Sequence, residues 1–118
     1  MGHGYRDLIA WQKAMELVAE IYRVTARFPR EEMYGLTSQL RRAAVSIPSN
    51  VAEGHGRQSA GEFRQFVGQA RGSLLELETQ VLIAQNLEFV TPQQAEPLLA
   101  STAELGRVLN GLIQSLRS

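Results

Sequence analysis

The chain has no cysteine, only two histidines, four prolines and a single lysine, Lys13, and aromatic residues make up only 7% of it. The missing thiols exclude disulfides, cysteine nucleophiles and zinc–sulfur sites, and they fit a reducing compartment. His3 and His55 are too few, and too poorly spaced, for the paired Glu-x-x-His ligands of a di-iron bundle. Neither has a glutamate three residues before it, and the Glu53-x-His55 pair reads as a helix exit rather than a metal site. No glycine-rich GxxxxGK[ST] loop is present to cradle a nucleotide, and no Ser/His/Asp set can be assembled. Glu76 and Glu78, two apart on a helix, point away from each other and make no catalytic carboxylate pair. The expectation is therefore no enzyme, no metal and no cofactor.

Long apolar runs are also lacking, so no membrane span is expected, and "MGHGYRDLIAW" lacks the layout of a secretory signal. A cytoplasmic protein follows as the default. Twelve basic residues balance twelve acidic ones, so no net field draws in nucleic acid or an anionic membrane. Eleven of the twelve bases are arginines, the side chain suited to bidentate contact with carboxylate or phosphate.

What is present is helical periodicity over one domain, residues 1–118. A first helix is predicted from about Asp7 to Phe28. Leu8, Trp11, Met15, Val18 and Tyr22 form one stripe, and Ala14, Leu17, Ile21, Val24 and Phe28 a second, before Pro29 breaks the helix. A second helix runs from Tyr34–Leu36 to about Gly54, burying Leu36, Leu40, Ala43, Ile47 and Val51. The Ser59/Glu62 pattern opens a third, with Phe63, Val67, Ala70, Leu74, Leu77, Val81 and Ala84 inward. Thr91, Pro92 and Gln94 open a fourth, buried along Ala95, Leu98, Thr102, Leu105, Leu109, Leu112 and Leu116. No segment alternates with period two. The fold class is all-α: an up-down-up-down antiparallel four-helix bundle whose second helix is kinked at Pro48.

Three groups of residues stand out as candidate contacts. On the second helix Gln39, Arg42, Ser46, Asn50, Glu53 and Arg57 recur at steps of three and four, with Arg41 beside them. They read either as a ligand-contacting polar stripe or as internal pairs that fix the bundle's register. Arg57, Arg64 and Arg71, seven apart, form a row that could grip phosphates or pair internally with Glu76 and Glu78. Gly68 and Gly72 suggest close helix approach, and Leu75, Leu82 and Phe89 lie off the main seam. With the double stripe of the first helix, they encode more apolar surface than one bundle covers, so a homo-oligomer is expected.

The segments "YRDLIAWQKAMELVAEIY", "FPREEMYGLTSQLRRAAVSIPSNVAEGHGR" and "FVGQARGSLLELETQVLIAQNL" resemble the 23S rRNA-intervening-sequence protein family, most specifically at "SIPSNVAEG" and "GSLLELET". Arg41, Ser46, Pro48, Asn50, Glu53, Gly54, Arg57, Gly72, Ser73, Glu76 and Glu78 match its signature. The resemblance implies a small bacterial cytosolic bundle that assembles as a homopentamer and has no catalytic residue. A distantly similar retroelement accessory protein binds a reverse transcriptase and nucleic acid through a basic surface. The resemblance therefore points to RNA or a nucleic-acid-associated protein as partner. The alternative is a protein-interaction scaffold without nucleic-acid affinity, and a third reading is a small-ligand pocket at the Pro48 bend.

Overall fold

The computed structural model describes residues 4–117. A short 3-10 turn, Gly4–Asp7, leads into four helices: α1 (Ile9–Thr25), α2 (Leu36–His55), α3 (Ala60–Asn86) and α4 (Pro92–Ser115). No strand occurs among the described residues. Each helix packs against its chain neighbours, and α1 closes on α4, so α1 and α3 occupy one diagonal and α2 and α4 the other. The result is the expected four-helix bundle, an elongated body of 44 × 24 × 23 Å.

Local chemistry sets the helix ends. α1 is shorter than the predicted Asp7–Phe28 at both ends. Leu8 is extended at the N-cap, and beyond Thr25 the backbone tightens into three-residue bonds, Arg27 N to Val24 O and Phe28 N to Thr25 O. Pro29 disfavours helical geometry at Phe28, which accounts for the stop. At the start of α2 the Glu32 carboxylate accepts from Leu36 N at 3.0 Å. Gly35 makes room for it, since a Cβ there would lie 2.9 Å from Glu32 Oε1. Ser59 Oγ accepts from Glu62 N at 3.1 Å, while the Glu62 carboxylate takes its bond from the Ser59 hydroxyl, so the cap forms through side chains. The Thr91/Gln94 capping box is complete in both directions.

α3 ends in a Schellman motif. Phe89 N donates to Ala84 O at 2.8 Å and Glu88 N to Gln85 O at 3.0 Å. Glu88 occupies the left-handed position at φ 63° that glycine usually fills.

The core is one continuous apolar cluster drawn from all four helices. Leu17, Ile21, Leu40, Ile47, Val51, Val67, Leu77, Leu98, Leu105 and Leu109 are completely buried within it. Each such side chain contributes about 1.5–3 kcal/mol relative to exposure. Near the end of α4 the expected stripe drifts. Ile113 is buried, whereas Leu112 and Leu116 only border the core. A step of four from Leu109 keeps the seam facing α1 and α3 better than the step of three.

α2 continues as one helix through Pro48, which is buried. Proline leaves the Ala44 carbonyl without its helical donor. The side-chain donors nearby go to the next two carbonyls instead: Ser49 Oγ to Val45 O at 2.8 Å and Asn50 Nδ2 to Ser46 O at 2.9 Å.

Candidate functional site

Because α2 lies between α1 and α3, its polar residues separate by the neighbour they face. Arg41 turns toward α1. Its Nε donates to Thr25 Oγ1 at 2.9 Å, its terminal nitrogen reaches the Tyr22 carbonyl at 3.4 Å, and its guanidinium lies 4.5 Å over the Tyr22 ring. Thr25 is itself anchored, since its hydroxyl donates to Ile21 O at 2.7 Å. Arg41 is therefore a cation held over the Tyr22 ring, with donors to spare.

Ser46 and Asn50 turn the other way. Ser46 Oγ and Ser73 Oγ of α3 are 2.8 Å apart, and Asn50 Nδ2 adds a 3.0 Å bond to Ser46 Oγ. Further along, Arg57 pairs with Glu53 at 3.2 Å and lies 4.8 Å over the Phe66 ring. Between them Gly54 is buried against Phe66 and Phe63. The predicted stripe is thus two things. Ser46, held by Asn50 of its own helix, ties α2 to α3, while Glu53 and Arg57 form an exposed pair at its end. Arg41 belongs to neither.

Arg42 points outward and forms no ion pair with a described residue. It stands between two hollows. The larger, about 640 Å³, is lined by Tyr22, Met33, Tyr34, Thr37, Ser38, Arg41, Val45 and Ser46 as well as Arg42 itself. The smaller, about 450 Å³, shares Tyr34, Ser38, Arg42 and Ser46 and adds Gln39, Ala43 and Glu76. Tyr34 is 97% exposed. Sequence reasoning missed this groove. Its signal is a tyrosine in "EEMYG" that belongs to no helical stripe, seven residues before a pair of arginines in the second turn of the next helix.

The same seam continues toward the other end of α1 as an apolar groove of about 310 Å³ between Trp11, Met15 and Val18 on one side and Val45, Pro48 and Ala52 on the other. On the far side of the bundle, α3 and α4 flank a comparable groove of about 290 Å³ that includes Arg71, Leu75, Glu78, Gly106 and Asn110. Leu75 and Leu82 are exposed on α3, at 57% and 45%. Gly68 and Gly72 share that outer face, with nothing within 4 Å of a Cβ placed on either. The close approach expected at these two glycines within the chain does not occur; Gly54 is where two helices come together. Phe89 is also not part of the outer face. It lies beyond the end of α3 and packs on Phe28, with ring centroids 5.6 Å apart.

The arginine row has its own partners, and they are not Glu76 and Glu78. Arg71 donates to Asn110 Oδ1 of α4 at 3.0 Å, Arg57 pairs with Glu53, and Arg64 is exposed without an ion pair to a described residue. Glu76 meets Gln80 instead, at 3.5 Å. Among the described residues no three His, Cys, Asp or Glu side chains gather where they could hold a metal ion. His55 packs edge-on against Phe63 at 5.5 Å, and His3 lies outside the described residues. No helix among the described residues is long and apolar enough to cross a membrane.

The model of the 23S rRNA-intervening sequence protein family matches residues 6–111. The chain belongs to this family. The match takes in the Tyr34 groove, the Ser46–Ser73 tie and every candidate contact residue named above. Among solved structures, a protein of unknown function from the S23 ribosomal protein family of Bacteroides thetaiotaomicron VPI-5482 superposes with a TM-score of 0.83. It is 20% identical and covers 90% of this chain and 99% of its own. At that identity the likeness establishes the shared bundle fold. No curated protein matches the chain. Neither the family description nor the structural neighbour indicates an enzymatic activity.

Proposed function

We propose that this member of the 23S rRNA-intervening sequence protein family is a cytoplasmic, non-enzymatic subunit of a homo-oligomeric ring. The ring is a pentamer of 1–118 bundle domains and acts as an adaptor for RNA or a ribonucleoprotein. The observation that carries the reading is the placement of two apolar grooves on opposite sides of one bundle. Met15, Val18 and Val45 flank one, between α1 and α2; Leu75 and Leu74 flank the other, between α3 and α4. Two different faces that each need cover make a head-to-tail contact, and such contacts close into rings when the rotation per subunit permits.

Repetition around an axis also bears on charge. The chain is neutral overall. Arg42 and Arg64 are nevertheless exposed and form no ion pair with a described residue. In a ring each recurs once per subunit, so each exposed guanidinium is repeated around the axis. That distribution, with the family's description, supports RNA as the ligand.

Light-scattering mass of the purified protein tests the assembly, with five subunits expected; a single subunit at high concentration would overturn it. Titration with structured RNA at about 50 and 200 mM salt tests the ligand, because phosphate contacts make affinity fall steeply with salt. The second reading, a protein-interaction scaffold, is favoured by the balance of twelve bases and twelve acids. Absent or salt-independent RNA binding would favour it instead.

A further inference from the structure

We infer that the groove between Tyr22, Tyr34, Arg41 and Arg42 holds single-stranded RNA, with a base stacked on Tyr34 and the adjoining phosphate on the two guanidiniums. This rests on the RNA reading above and gives it a place and a class of strand. Tyr34 is 97% exposed, a large aromatic surface with no intramolecular cover. Arg42 beside it has no ion-pair partner among the described residues. Arg41 is already immobilised on Thr25 and the Tyr22 carbonyl, so its remaining donors need no further ordering.

An exposed aromatic face next to one free and one fixed guanidinium is the combination that binds unpaired nucleotides. Every base offers a π-face and every linkage a phosphate. A cavity of about 640 Å³ accommodates a nucleotide. A duplex keeps its bases stacked inside and cannot use Tyr34 this way. The acids near the groove do not cancel it. Glu32 is committed to capping Leu36 N, and Glu76 lines the smaller hollow, which it shares with Arg42, but not the larger one. The apolar stretch of the seam, at Met15 and Val18, lies further along and remains for a neighbouring subunit.

The test compares a short single-stranded RNA with the same RNA annealed to its complement, on the full chain and on Tyr34→Ala, Tyr34→Phe, Arg42→Gln and Arg107→Gln. Both groove residues are exposed, so the variants fold. Tyr34→Ala is expected to lose about five- to a hundredfold in single-strand affinity, and Tyr34→Phe little, as stacking requires. Arg42→Gln is expected to lower the salt slope by about 0.7. Arg107→Gln, which removes the same charge from the exposed face of α4, should change it far less. If the protein binds RNA but the groove variants bind like Arg107→Gln, the inference fails and the RNA reading stands. Equal affinity for duplex also overturns it. So does a change in oligomer mass in Tyr34→Ala, which would assign the groove to a second copy of the chain. No RNA binding by the unaltered protein ends both.

Discussion

Gly54 of α2 lies so close to Phe66 of α3 that a Cβ at Gly54 would be 2.5 Å from the Phe66 Cβ. The clash would be with an atom next to the backbone, not with the end of a flexible chain, and Phe63 Cδ1 and its carbonyl close off the side at 3.1 and 3.3 Å. Glycine here sets the spacing of the two helices just before they turn into each other. It also lets Phe66 lie under the Arg57 guanidinium.

Gly54→Ala is accordingly expected to destabilise the bundle by about 1–3 kcal/mol, the range for forcing extra volume into a packed site. Gly68→Ala and Gly72→Ala should do the opposite. A Cβ on either meets nothing within 4 Å, so each should gain about 0.5–1 kcal/mol from helix propensity. Urea unfolding of the three variants checks the sign. Measuring mass alongside asks whether the two exposed glycines matter between subunits: if they do, the stabilised variants assemble less well.

Glu88 holds a left-handed conformation, φ 63°, at the position where the Schellman motif normally has glycine. A side chain there costs about 1–2 kcal/mol, part of which glycine returns as unfolded-state entropy. Glu88→Gly should raise stability by about 0.5–1 kcal/mol, and Glu88→Ala should not. A gain shared equally by both variants would mean that the carboxylate, not the backbone, was the source.

The elements of this fold are readable in the sequence because each helix carries its signals locally. Six of the seven positions of the α3 seam are buried, with Phe63 only bordering the core; the Thr91/Gln94 box emerges as the spacing predicts, and the Leu36–Val51 stripe is buried throughout. What the periodicity does not reveal is what lies opposite. It could not say that Gly54 rather than Gly68 marks the close approach, since both are glycines on a helix, and only the partner helix distinguishes them. Nor could it say that Arg41 departs from Arg42 toward α1, because a 100° step between adjacent residues becomes a choice of neighbour only once the bundle is closed. The Tyr34 groove was hidden for a related reason. It is assembled from α1, the α1–α2 connection and α2, and no single window contains it.

Gln80 is a buried polar residue whose amide oxygen has no hydrogen-bond partner among the described residues, and whose nitrogen makes only a long 3.5 Å contact with Glu76. An unsatisfied buried acceptor costs about 1–3 kcal/mol. Gln80→Met keeps the length and removes the acceptor, so it should stabilise the subunit by about 1 kcal/mol. Gln80→Glu, which buries a charge there, should destabilise it. Thermal unfolding of the pair decides the point; a loss in Gln80→Met would mean that the amide is used in the assembled state.

Pro48 links the interior of α2 to its outer seam. It is buried in the helix, leaves the Ala44 carbonyl without a helical donor, and also lines the apolar groove with Trp11, Met15 and Val18. Alanine would restore the missing donor and relieve the crowding of Ala44, worth up to about 3 kcal/mol in an unconstrained helix. It would also remove ring atoms from the groove floor. Pro48→Ala should therefore remain a folded bundle by circular dichroism while its oligomer mass or dissociation midpoint shifts. If the groove is where a neighbouring subunit seats, stability and assembly must change separately in this variant. An unaltered mass together with an unaltered unfolding midpoint would remove Pro48 from the interface and leave it as a tolerated break in one helix.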